Sequence, residues 1–203
     1  GRRRVLVLER HYAAGGWTHT FKRPGFAWDV GVHYVGDMHE GGASRALMEY
    51  VTEGRLEWAP MPDVYDQVRI GNLAFDYVRG EEPLRAALCD RFPAERAAID
   101  RYFALVKKLG NRATLYFAEK AMPAPVARVA GGLMRWPFTR LARLTTGEVL
   151  DGLTRNVELK AVLTAQWGDY GEPPGRSSFA AHAIVTHHYF GGDDLFEPHQ
   201  RRR

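Results

Sequence analysis

The residues best suited to chemistry gather near the start of this chain. Glu9 closes a short apolar run, Val5-Leu6-Val7-Leu8, and a glycine pair, Gly15-Gly16, follows six residues later. Four apolar residues without alternation suit a parallel strand buried on both faces. A carboxylate at the carboxyl end of such a strand accepts hydrogen bonds from the vicinal hydroxyls of a ribose. That is the role of the acid ending the second strand in dinucleotide-binding folds. The alternative for Glu9 is an ordinary acid facing water. Paired glycines turn the backbone tightly and let it approach a bulky ligand with no side chain between. A second strand is expected over residues 25–31, G-F-A-W-D-V-G, again ending in glycine.

A strand ending in Glu, a glycine pair, then G-F-x-x-D-x-G: this order resembles the flavoprotein family of the phytoene desaturases, carotenoid isomerases and retinol saturases. The matching residues are Glu9, Gly15, Gly16, Gly25, Phe26, Asp29 and Gly31. Val32-His33-Tyr34-Val35-Gly36 is most similar to the retinol saturase and carotenoid isomerase branch. So is Gln166-Trp167-Gly168-Asp169-Tyr170-Gly171, followed by Pro173-Pro174 and Ser177-Ser178-Phe179. The likeness runs from about residue 3 to residue 192. In that family a strand, a G-x-G-x-x-G phosphate loop and a helix precede the segment that opens this chain. No such loop occurs in these residues, so the resemblance implies a fragment lacking the phosphate loop and the C-terminal part.

The resemblance implies an α/β fold, here an α+β fragment: a partial FAD/NAD(P)-binding Rossmann-like domain with an inserted, mostly helical substrate domain. Expected boundaries are 1–80 for the cofactor part with a β-hairpin, 81–192 for the helical part and 193–203 for a polar tail. It further implies an FAD-dependent oxidoreductase acting on a conjugated isoprenoid, by moving hydride and proton or by reversible electron transfer that relaxes a double bond. The flavin carries such chemistry, so no catalytic side chain is assigned. Cofactor contacts are expected from Glu9, Gly15, Gly16, Asp29, Gly31 and His33, the last with a structural histidine as its rival. Trp17 stands where the family often has a basic residue, which leaves Thr18, His19 and Thr20 as polar substitutes, Thr18 and His19 being the expected contacts. Trp167, Asp169 and Tyr170 are substrate-cavity candidates, with core packing of Trp and Tyr as the alternative. Two other readings stay open: a truncated, cofactor-free chain without activity, and a flavin desaturase or amine-oxidase-like enzyme.

Composition narrows the partners. Apolar residues make up 45% of the 203, enough for a core. Twenty-eight basic side chains against 24 acidic ones leave +4. Six of the basic groups sit in Arg2-Arg3-Arg4 and Arg201-Arg202-Arg203, so no nucleic-acid surface is expected. The partner expected is a hydrophobic polyene. One cysteine, Cys89, cannot form an internal disulfide. No apolar run approaches the ~18 residues of a membrane span. The expected location is cytoplasmic or peripheral on a membrane, the apolar stretch 115–138 being suited to a lipid-accepting cavity or a membrane contact.

The positioning elements follow from periodicity. A helix is expected over 43–51, and alternating runs 65–70 and 73–78 around Gly71-Asn72 read as a hairpin. Leu84, Leu88 and Phe92 mark a helix, and Pro93 starts another with Ile99, Tyr102, Phe103, Val106 and Leu109 on one face, ending at Gly110. Residues 115–138 read as a proline-broken apolar region. Thr145-x-x-Glu148 is a capping box. A helix is expected over 158–167, and Ser177 caps a last one over 178–189. His182, His187 and His188 fall out of register for shared metal ligation, so no metal is expected. Ser177-Ser178 lacks the G-x-S-x-G elbow of serine hydrolases.

Overall fold

The computed structural model describes residues 4–31, 34–36, 38–190 and 196–200. Strands β1 (Thr20–Arg23) and β2 (Phe26–Asp29) form an antiparallel hairpin, so the expected second strand exists and its partner is the segment just before it. Helix α1 spans Ala43–Thr52, β3 Leu56–Pro60, β4 Val64–Ile70 and β5 Leu73–Val78. β4 and β5 pair antiparallel around Gly71, whose φ of +60° suits glycine. A register shift between Val64 and Asp66 lets Tyr65 and Val68 both face inward beside Leu73, Phe75 and Tyr77.

The helical body follows: α2 (Glu81–Arg91), α3 (Arg96–Ala121), α4 (Ala124–Ala142), α5 (Thr146–Leu153), α6 (Val157–Leu163) and α7 (Phe179–Tyr189). β6 (Phe196–Gln200), within the expected polar tail, pairs antiparallel with β3, and the rest of that tail lies outside the described residues. α3 lies against α4 and α7. Its face of Ile99, Tyr102, Phe103, Val106 and Leu109 is buried against Leu84 and Leu88 of α2 and Phe179 and Ala183 of α7. Burying that stripe along one long helix is what organises the body.

Five expectations need correction. Residues 5–8 lie in no strand and are 80–86% exposed, because no described strand lies beside them to supply ladder partners. α3 does not end at Gly110 but continues to Ala121. A Cβ at 110 would run into the His187 ring, so this glycine serves a close helix–helix approach rather than a cap. The proline-broken region 115–138 is helical on both sides of Met122-Pro123, where α3 stops and α4 starts. The helix expected over 158–167 is α6, capped by the Asn156 side chain, followed by a separate 3₁₀ turn at Ala165–Asp169. Ser178, not Ser177, caps α7, accepting from Ala180 N, while Ser177 is buried with its Oγ 2.8 Å from Thr146 Oγ1. The Thr145 capping box forms on both sides, Glu148 N to Thr145 Oγ1 at 3.1 Å and Thr145 N to Glu148 Oε2 at 2.7 Å.

Candidate functional site

Glu9 and the glycine pair come together. Gly15 (φ +98°) and Gly16 (φ +51°) turn the chain into a short 3₁₀ segment, Gly16–Thr18. A Cβ at Gly16 would lie 2.8 Å from Glu9 Oε2, so the bare backbone here is what lets the carboxylate rest against the turn. Glu9 Oε1 accepts from His11 N at 2.8 Å. His19 Nδ1 donates to Gly16 O at 2.5 Å, and its ring lies tilted against His11 with centroids 4.2 Å apart. A cavity of about 420 Å³ is lined by Glu9, Arg10, His11, Gly16, His19 and Val30. A carboxylate, the Arg10 guanidinium and two imidazoles around such a space suit a polyhydroxylated ligand.

The remaining expected contacts divide. Thr18 is turned away from the cavity, its hydroxyl donating to Gly15 O at 2.9 Å. Asp29 ends β2 opposite Thr20, with its side chain outside the described set. Gly31 follows at a bend, and His33 lies outside the described residues. His11 and Val30 were missed by sequence reasoning. The signal for His11 was its place two residues past Glu9, within reach of the same turn.

The second motif mostly fastens the fold. Asp169 Oδ2 accepts from Tyr189 OH at 2.9 Å. Tyr170 OH lies 3.0 Å from His182 Nδ1, whose Nε2 is 2.8 Å from Tyr102 OH. Burial pushes His182 down to about 4, so the ring is neutral: one nitrogen donates and the other accepts. Burial pushes Tyr170 up to about 12, and it raises Tyr34, Tyr65, Tyr102 and Tyr189 as well. These phenols therefore stay protonated, and one of Tyr102 and Tyr170 donates to His182 while the other accepts from it. Asp169 is exposed and Tyr170 half-buried, and Trp167 is open at 43% exposure. It lines a cleft of about 460 Å³ with Asp66 and Arg69 of β4 and Thr164 and Pro174.

Tyr34 belongs to this second group. Gln166 Nε2 donates to Tyr34 OH at 2.8 Å and to Asp66 Oδ2 at 3.2 Å. Gly36 N donates to His188 Nε2 at 2.8 Å, and a Cβ at 36 would collide with the His188 carbonyl. The three histidines near the C-terminal end thus serve packing and hydrogen bonding. Among the described residues, no group of three or more His, Cys, Asp or Glu is placed to hold a metal ion. No helix among them is long and apolar enough to cross a membrane.

The family model of the NAD(P)-binding Rossmann-like domain matches residues 1–51, the segment that holds Glu9 and the glycine turn. The particular relatives are the all-trans-retinol 13,14-reductases. The Homo sapiens protein is 37% identical over 94% of this chain and 32% of its own length. The Danio rerio protein is 36% identical over 94% of this chain and 33% of its own. The inactive all-trans-retinol 13,14-reductase of Danio rerio is 29% identical over 92% and 32%. The chain is thus homologous to a stretch of these reductases and spans about a third of their length, as the motifs at residues 25–36 and 166–179 implied. No solved structure matches this chain.

Proposed function

We propose that this protein is an FAD-dependent oxidoreductase that acts on a conjugated isoprenoid, in the manner that the name of its reductase relatives describes for retinol. The observation that carries the reading is the Glu9 carboxylate held against Gly16 at the edge of a cavity, inside the segment matched by the NAD(P)-binding domain. The residues fit the sugar end of a dinucleotide. Glu9 Oε2 suits ribose hydroxyls, and a side chain at 16 would fill the space that the carboxylate now takes. FAD, when bound, supplies the redox chemistry. The chain's own contribution is to bind and orient: Glu9 and the Gly15-Gly16 backbone hold one end, and Gln166 ties Tyr34 to the helical body. The cleft that Trp167 lines together with Val68, Ile70, Ala161 and Ala165 is the proposed approach for the polyene.

A titration of the protein with FAD, followed through gel filtration by the flavin absorption bands, tests this. The expected result is retained flavin, with Glu9→Ala weakening binding by roughly tenfold to a hundredfold, the scale of a charged hydrogen-bond pair. Equal retention by the two proteins sinks the assignment of Glu9. A second reading, a chain that holds no cofactor and has no activity, is favoured by the exposure of residues 5–8 and by the relative named inactive. Absence of flavin in both proteins selects it.

A further inference from the structure

We infer that α4 docks this protein onto the surface of an anionic lipid membrane, lying in the plane of the headgroups. The inference is independent of the flavin reading. Its first support is geometric. Val126, Val129, Leu133 and Trp136 are spaced three, four and three residues apart, which places them on one side of α4. All four are exposed, Val129 at 88% and Leu133 at 82%, while Phe138 on the opposite side is buried against Tyr116 of α3 with ring centroids 4.5 Å apart. An apolar stripe on the outer side of a helix whose inner side already has its core partners is unspent contact area.

Charge then selects the occupant. Residues 120–147 contain Lys120, Arg128, Arg135, Arg140 and Arg143, and no Asp or Glu; Lys120 and Arg135 pair with the adjacent Glu119, which leaves Arg128, Arg140 and Arg143 to carry the charge. In a chain of 28 basic and 24 acidic groups, such a stretch is strongly biased. Arg128, Arg140 and Arg143 are exposed around the stripe, and the Arg140 guanidinium lies over the Trp136 ring, 5.8 Å from its centroid. Arginines beside an exposed Trp and aliphatic stripe match a headgroup layer: the aliphatic groups enter the acyl boundary, Trp sits at the interface, and the guanidinium groups reach lipid phosphates. A second copy laid along the same stripe would set arginines against arginines. The helix has 19 residues, and its stripe covers only ~15 Å of helix axis at 1.5 Å per residue, so it suits lying on a bilayer rather than crossing one.

The test is co-sedimentation of the full chain with vesicles of phosphatidylcholine mixed with phosphatidylglycerol, against phosphatidylcholine alone. Binding is expected to the mixed vesicles and to weaken as salt rises. V129E/L133E should lower partitioning by about tenfold or more, through loss of apolar insertion and added repulsion. R128Q/R143Q should lower it by about tenfold or more on the anionic vesicles alone. All four positions are exposed, so the thermal unfolding midpoint should stay put, and the two double variants perturb the surface in independent ways. Equal binding to both kinds of vesicle, or full binding by V129E/L133E, overturns the inference. A concentration-dependent dimer that V129E/L133E dissolves overturns it too, by giving the stripe to a second copy.

Discussion

Acidification should destabilise this protein through one buried ring, and His182→Gln isolates the effect. His182 is 3% exposed and held between Tyr102 and Tyr170, with Phe179 packed beside it at a ring separation of 5.9 Å. None of the hydrogen bonds to its two nitrogens comes from a carboxylate, so nothing there favours a charged ring, and burial pushes it down to about 4. In the unfolded chain the same ring titrates near its ordinary 6.5. Between those values the unfolded state binds a proton that the native state refuses. The contribution is therefore fully present above 6.5 and is lost as pH falls through the window towards 4. At pH ~5 the two binding terms differ by about thirtyfold, or about 2 kcal/mol, against nearly zero at pH ~7.5.

Glutamine cannot titrate, yet its amide can donate to one hydroxyl and accept from the other. At pH ~7.5 the substitution should cost about 1 kcal/mol for imperfect geometry. Lowering the pH should shrink that gap and reverse it near pH ~5, since only the wild type loses the ring's ~2 kcal/mol. Urea denaturation followed by tryptophan fluorescence at both pH values measures it. A gap between the two proteins that is the same at both would show that the ring is not kept neutral by burial, and the reasoning would fail.

Gly110→Ala puts a methyl group into the His187 ring and should cost about 1–3 kcal/mol; Gly132→Ala, in α4 with open space around it, should instead gain up to about 1 kcal/mol. Thermal unfolding of the pair checks the contrast, and equal shifts would mean that helix propensity rather than packing governs both sites. Thr145→Ala removes one arm of the α5 capping box and should lower stability by about 1 kcal/mol in denaturant melts.

Local pattern carried the elements whose causes are local. Alternation around Gly71-Asn72 gave the β4–β5 hairpin, four-residue spacing gave the α2 and α3 faces, and Thr145-x-x-Glu148 gave the start of α5. What failed depends on a distant residue. Glycine at 110 is a helix stop when nothing touches it and a packing groove when His187 does, and only the fold decides between them. Either serine at 177–178 can cap a helix. Ser177 is taken by Thr146, which leaves the cap to Ser178. Residues 5–8 have a strand's composition, but a strand also needs a neighbour. The Glu9–Gly16 arrangement was legible because seven residues span it, whereas the Tyr102–His182–Tyr170 bridge joins segments far apart in sequence and left no trace in spacing.

The motifs that reveal the kinship do two separate physical jobs. Glu9, Gly15 and Gly16 form a carboxylate-and-turn arrangement with little buried packing around it, so changes there should alter ligand contacts more than stability. Tyr34, Gly36, Gln166, Asp169 and Tyr170 belong to the fastening of the body. Tyr34 packs edge-on against Tyr65 and Tyr189 at 5.4 and 5.0 Å, and Gly36 is small because the last turn of α7 comes within reach of its backbone. A glycine or an aromatic retained for packing looks the same in sequence as one retained for a ligand. The contacts separate them: Gly16 faces a carboxylate at a cavity, and Gly36 faces a carbonyl in the fold. Gln166 donates to both Tyr34 and Asp66, so a change there on the helical side would be felt at Tyr34 and at β4.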